Sequence, residues 1–146
     1  MERAIENLDR ETCLALLTRV SIGRVGWATP EGRALILPVN FVVDGDTIVF
    51  STSEGDKLDA VRKGRTLTFE VDDVELALRT GWSVLAVGSA EVVTNPAQIR
   101  RIEQLPLAPW VSSQERVFVR IAPAEITGRR LPLHPGKVTV VQQTEP

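Results

Sequence analysis

The sequence predicts a mainly β chain with a few short helices, its strands closed or nearly closed into a barrel. Three observations carry this. TLTFEVD (66–72) alternates apolar and polar residues, with Leu67, Phe69 and Val71 on one face and Thr66, Thr68 and Glu70 on the other. Asp44-Gly45 separates RALILPVNFVV from DTIVFST, and this dipeptide favours a tight hairpin because glycine accepts positive φ. GWSVLAVGSAEVV (81–93) is apolar on both faces, through Trp82, Val84 and Ala86 on one side and Leu85 and Val87 on the other.

Each remaining element follows from local pattern. Val117, Val119 and Ile121 alternate with Arg116 and Arg120 as a further strand. Asp9 is an N-cap for a short helix whose apolar face is Cys13, Leu16, Leu17 and Val20. A second helix fits Asp56 to Lys63, with Leu58 and Val61 inward and Gly64 closing it. A third starts with Asn95 as cap and Pro96 at its first position, carries Ile99 and Ile102 inward, and stops at Pro106. Six or seven strands with so few helices suit a barrel, because closure removes exposed edges. The two-sided strand 81–93 then needs cover outside the barrel, which a second subunit would provide.

With 146 residues the chain has room for one domain, 1–146. Its 43% hydrophobic and 25% charged residues match a folded globular protein rather than a disordered one. No apolar run approaches the roughly 20 residues of a membrane span, and MERAIENLDRETC is too polar for a signal peptide, so the expected location is the cytoplasm. A net charge of −2 gives no general attraction to nucleic acid or anionic lipid. Cys13 is the sole cysteine and His134 the sole histidine, which excludes a disulfide within the chain and makes a metal site an unsuitable reading. His134 reads as a surface-loop residue, with haem ligation as the lesser alternative. No nucleophile elbow, GxGxxG fingerprint or Walker loop is present.

The segment FSTSEGDKLDAV (50–61) is the chemically distinctive one: a strand ending in hydroxyls, a glycine turn, then Lys57 in the first turn of a helix. An anion such as phosphate suits that arrangement, and an ordinary capped helix with a solvated lysine is the alternative. The ordered set GRVGWAT (23–29), LPVNFVVDGDTIVFSTSEGDKL (37–58), FEVDD (69–73), GWSVLAVGSAEVV (81–93), Pro109-Trp110 and ITGRRL (126–131) closely resembles the pyridoxamine 5'-phosphate oxidase-like family of FMN-binding split β-barrels, in its nitroimidazole-resistance-like branch. The resemblance covers nearly the whole chain.

That resemblance implies a homodimer with FMN at the subunit interface and a reductase or oxidase acting on a small molecule. It places Pro38, Val39, Asn40 and Phe41 beside the isoalloxazine ring, partly through backbone groups. Ser51, Thr52 and Lys57 would hold the phosphate, and Trp82 and Ser83 would approach from the neighbouring subunit. Phe41 and Trp82 read equally as core residues, Asn40 as the partner of a buried backbone group, and Thr52 as the end of a strand. Arg129, in ITGRRL, is a further candidate for the anion, since guanidinium suits bidentate phosphate contact. Asp56 departs from the family pattern, where a hydroxyl commonly precedes the lysine; with Glu54 it sets carboxylates beside the phosphate, unless Asp56 caps the helix. No residue stands out as a catalytic acid or base. A deazaflavin coenzyme or haem in the same fold, and a non-catalytic flavin-binding sensor, are the alternatives.

Overall fold

The computed structural model describes residues 5–53, 55–107 and 116–131. In chain order the elements are β1 (Glu6–Leu8), α1 (Arg10–Leu17), β2 (Ile22–Ala28), β3 (Ala34–Asp44), β4 (Thr47–Thr52), α2 (Asp56–Arg62), β5 (Leu67–Glu75), β6 (Thr80–Val92), α3 (Pro96–Glu103) and β7 (Val117–Arg130). The sheet order is β1-β7-β4-β3-β2-β5-β6, and β6 pairs back onto β7. Six antiparallel strands, β2 to β7, therefore close into a barrel, and β1 is appended to the end of β7. This is the split-barrel architecture that the sequence resembles.

The β3–β4 hairpin turns on Gly45 and Asp46, with Asp44 paired to Thr47. Gly45 takes φ +64°, a conformation that favours glycine at the first central position of a two-residue hairpin. β7 is the longest strand and absorbs both 117–121 and the ITGRRL segment. Its first half pairs with β4 and its length pairs with β6. Pro123 is tolerated inside it because the β6–β7 register shifts at Val87/Gly88, where a strand can carry a residue that donates no ladder hydrogen bond.

Alternation sends Leu67, Phe69 and Val71 of β5, and Trp82, Val84 and Ala86 of β6, into the barrel with Val25, Phe41, Ile48 and Phe50. Phe41 meets Phe69 edge to face, with ring centroids 4.8 Å apart, a favoured aromatic geometry. Gly23 makes room for that ring: a Cβ there would overlap Phe69. α2 adds Leu58, Ala60 and Val61 to the same core. α1 adds Cys13, Leu16 and Leu17 but ends at Leu17, so Val20 packs from the following loop rather than from the helix. Cys13 lies so close to Gly128 on β7 that a Cβ there would strike its sulfur.

A second, smaller cluster lies outside the barrel wall, where Ile102 of α3 covers Val49 of β4 and Phe118 of β7. Asp44, 8% exposed, holds α3 and β7 together by accepting from Arg101 at 2.7 Å and Arg120 at 2.9 Å. The outward positions of β5 and β6 carry no such cover: Val74 and Leu85 remain 41% and 40% exposed. Among the described residues no helix is long and apolar enough to cross a membrane.

Gly88 is the point where the closing strands approach most tightly. A Cβ there would fall on the Ala122 carbonyl and within 2.9 Å of the Pro123 Cα, and backbone cannot move aside as a side chain can. Gly88→Ala is expected to cost about 1–3 kcal/mol or more through overpacking, read as a lower urea midpoint. An unchanged midpoint would show that the closure is looser than this geometry.

Candidate functional site

Thr52, the last residue of β4, faces the barrel side of the strand with Ile48 and Phe50, and is 7% exposed. Past Gly55, Lys57 falls in the first turn of α2 and returns over Phe50, its Nζ 5.9 Å from the ring centroid. Burial lowers the Lys57 pKa from its ordinary value. Among the described residues Lys57 forms no ion pair, and desolvation disfavours its charged form.

Thr52 and Lys57 line one end of a cleft of about 290 Å³ whose other wall is Trp27 of β2 and Leu35, Ile36 and Leu37 of β3. Ile36 and Leu37, neighbours on β3, are 61% and 49% exposed and put apolar surface at the cleft from opposite faces of the strand. Trp27 is buried, and its Nε1 has no hydrogen-bond partner. An unmade bond of this kind costs about 1–3 kcal/mol. The Thr52 hydroxyl donates to the Ser53 carbonyl at 3.2 Å, a long bond for O–H···O and one that a phosphate oxygen would compete with. The cleft thus combines a half-buried cation, a hydroxyl and the Asp56 carboxylate with an apolar wall; the cation and hydroxyl suit a phosphate joined to a flat, largely apolar group.

The structure brings Thr52 and Lys57 together and does not bring Ser51 to them. Ser51 is the neighbour of Thr52 on a strand, so its side chain leaves from the opposite face, the face of Val49. Val39 and Phe41 point into the core at 2% exposure each. Asn40 is buried, and Pro38 presents an exposed side chain beside Leu37. Asp56 does not cap α2: the N-cap is Gly55, at φ +155°, and no side chain makes the capping bond. The Asp56 carboxylate lines the same cleft as Lys57. Trp82 is a core residue of this chain, 7% exposed. Glu54, Trp110 and His134 lie outside the described residues.

Ser83 and Arg129 meet elsewhere. They are paired across β6 and β7 and line a second cleft, about 530 Å³, on the outer face of the barrel with Glu70 and Asp72 of β5. Burial, then the hydrogen bond with Asp72 and its negative charge, push the Glu70 carboxyl up to about 7, against an opposing effect of Arg24. Arg24 stands directly across from Glu70 on β2. A larger cleft, about 620 Å³, lies between the loop after α1 and β3; its charged lining residue is Arg19.

Sequence reasoning missed Trp27, Ile36 and the Glu70–Asp72 pair as lining residues. Glu70 and Asp72 are two apart on a strand and so share a face, a signal present in the sequence. Trp27 and Ile36 carried no comparable signal, because their nearness to Lys57 depends on how α2 packs against β2 and β3.

The sequence profile of the pyridoxamine 5'-phosphate oxidase family matches residues 9–130. The uncharacterized protein Rv0080 of Mycobacterium tuberculosis is 37% identical over 134 residues, 88% of this chain and 87% of that one. A FAD-binding protein of Mycobacterium smegmatis is 33% identical and superimposes with a TM-score of 0.75, over 88% of this chain and 100% of the other. A FAD-binding protein of Mesorhizobium loti has the same fold at 19% identity, with a TM-score of 0.72 over 88% and 99% of the two chains.

Two outcomes follow from these placements. Trp82→Ala should lower the stability of the protein without ligand by about 3–5 kcal/mol, the usual cost of emptying a core aromatic site, measured by urea unfolding; a loss confined to ligand binding would remove Trp82 from the core. Glu70 holds its proton more tightly folded than at its ordinary 4.5. Its contribution to stability is therefore full below about 4.5 and is lost as pH rises through about 7. Glu70→Gln should flatten the fall in urea midpoint between those two pH values, and an unchanged pH profile would exclude the raised pKa.

Proposed function

The chain belongs to the pyridoxamine 5'-phosphate oxidase family, and from that premise we propose that it binds a flavin through its phosphate, as FMN or as the FMN half of FAD. The observation that carries this reading is Lys57, half-buried, lining one cleft with Thr52 and forming no ion pair among the described residues. Phosphate would restore the charge balance that burial removes from the lysine, and charge-assisted hydrogen bonds of this kind are the strong ones. Leu37, on the same strand face as Leu35 and beside Trp27, would lie against an apolar ring and exclude water from it. Trp27 carries an unused N–H on the same wall.

A bound flavin would supply hydride acceptance and donation, chemistry that no side chain of this cleft provides. The part of the protein is to bind, orient and shield. Among the described residues Lys57 and Asp56 are the titratable groups that line the cleft, and neither is placed as a proton donor to a ring lying on Leu37. The function we assign is that of a cytoplasmic flavin-dependent oxidoreductase for a small molecule, working as a homodimer. The uncovered outer face of β5 and β6 supports the dimer, because leucines and valines left in water there gain by burial against a second copy.

Lys57→Ala should weaken FMN binding by about 1.5–3 kcal/mol and leave riboflavin, which lacks the phosphate, nearly unchanged. Titration calorimetry with both ligands separates the two effects, and equal losses would argue against phosphate recognition by Lys57. An absorption spectrum of the purified protein tests for bound flavin, and turnover with a reduced nicotinamide and an electron acceptor tests for catalysis.

A further inference from the structure

The ladder between β2 and β3 stops short of the β3–β4 turn. Its register sets Ile22 opposite Asn40, and the Phe41 N–H still donates to the Ser21 carbonyl at 3.0 Å. Continued further, the same register would set Arg19 opposite Val43. It does not continue, because the Arg19 N–H donates instead to the Leu16 carbonyl at 3.0 Å, in the turn that ends α1. That turn draws the chain off the edge of β3 and leaves a gap. Arg19 and Val43 both line the cleft of about 620 Å³ that lies there.

Val43 presents its backbone to this gap. Along a strand the N–H and C=O of alternate residues point to the same side. Val43 therefore follows Phe41 toward β2, whereas Val42 and Asp44 turn theirs to β4. Among the described residues nothing bonds to the Val43 N–H or C=O, and Arg19 forms no ion pair. Leu17, Val20, Ile22 and Leu105 give the cleft apolar walls.

These groups call for one kind of ligand. A free edge residue bonds to an N–H and an acceptor spaced as they are in a single amino-acid residue, as an added strand would supply them. A guanidinium suits a carboxylate, and the walls suit an apolar side chain. The amine must be acylated, because the lining residues include no carboxylate to take a free ammonium. We propose that this cleft binds a small N-acylated apolar amino acid opposite Val43. Its N–H donates to the Val43 carbonyl, and its carboxylate accepts from the Val43 N–H and the Arg19 guanidinium. No residue of this site lines the Thr52–Lys57 cleft, so the site does not depend on the flavin reading.

Titration of isotopically labelled protein with N-acetyl-leucine, followed by amide NMR, tests the site. The Arg19 and Val43 signals should shift to saturation while the Lys57 signal stays in place. Arg19→Ala, checked for folding by circular dichroism, should weaken binding about 10-fold or more, the size expected when a carboxylate loses a charged hydrogen bond. N-acetyl-leucine N-methylamide, which lacks the carboxylate, should bind the wild type with a similar loss. The ester analogue, with oxygen in place of the amide N–H, should lose about 5-fold and keep its dependence on Arg19; this arm needs no variant to fold. Absence of saturable shifts, or shifts at Lys57 rather than Val43, would overturn the site. Arg19→Ala without effect, or an N-methylamide that binds as tightly as the acid, would overturn the ligand and make an extended peptide segment the occupant.

Discussion

The pairing of β6 with β7 is the constraint on which the rest of the molecule depends. β7 gives one edge to β4 and the other to β6, and without the second ladder the sheet would have two open edges and no enclosed core. Closure satisfies the backbone groups of both edges. It requires that the ladder slip at Gly88, where β7 passes so near that no side chain fits. A strand carrying Pro123 and a strand carrying Gly88 each look like weak pairing partners alone. Set opposite one another, the proline gives up a ladder hydrogen bond at the point where the glycine lets the backbones approach.

The closed barrel sorts every strand into an inner and an outer face, and the two halves of its outer surface are treated differently. α3 covers the wall of β4 and the start of β7, held by the buried Asp44 between Arg101 and Arg120. There the charges are matched within the chain. On the outer face of β5 to β7 the acidic pair Glu70–Asp72 has Arg24 across from it on β2 and Arg129 two strands away, and Arg130 pairs with Glu6.

The same sorting explains the Thr52–Lys57 end of the cleft. β4 must end with an inward hydroxyl for Thr52 to face the cleft, and α2 must pack Leu58 and Val61 into the core for Lys57 to lie over Phe50. The burial that fixes the helix is therefore also what desolvates the lysine. A lysine held in this way is a poor surface charge and a good anion receptor, because much of its dehydration cost is met during folding.

The strands, the hairpin at Gly45, the three helices and their caps at Asp9 and Asn95 were legible in the sequence, as was the pairing of Thr52 with Lys57 as candidates for one anion. These features depend on periodicity and on local backbone chemistry, which neighbouring residues determine by themselves. Only the tertiary structure decided that Ser51 leaves on the other face, that Gly55 rather than Asp56 caps α2, and that Trp82 belongs to the core. It alone brought Trp27 and Ile36 to Lys57, and Arg129 into the row of Asp72. Those placements depend on strand register and on closure, which join residues tens of positions apart. No local pattern carries that information, because the energy that selects one register over another lies in contacts that exist only once the barrel has closed.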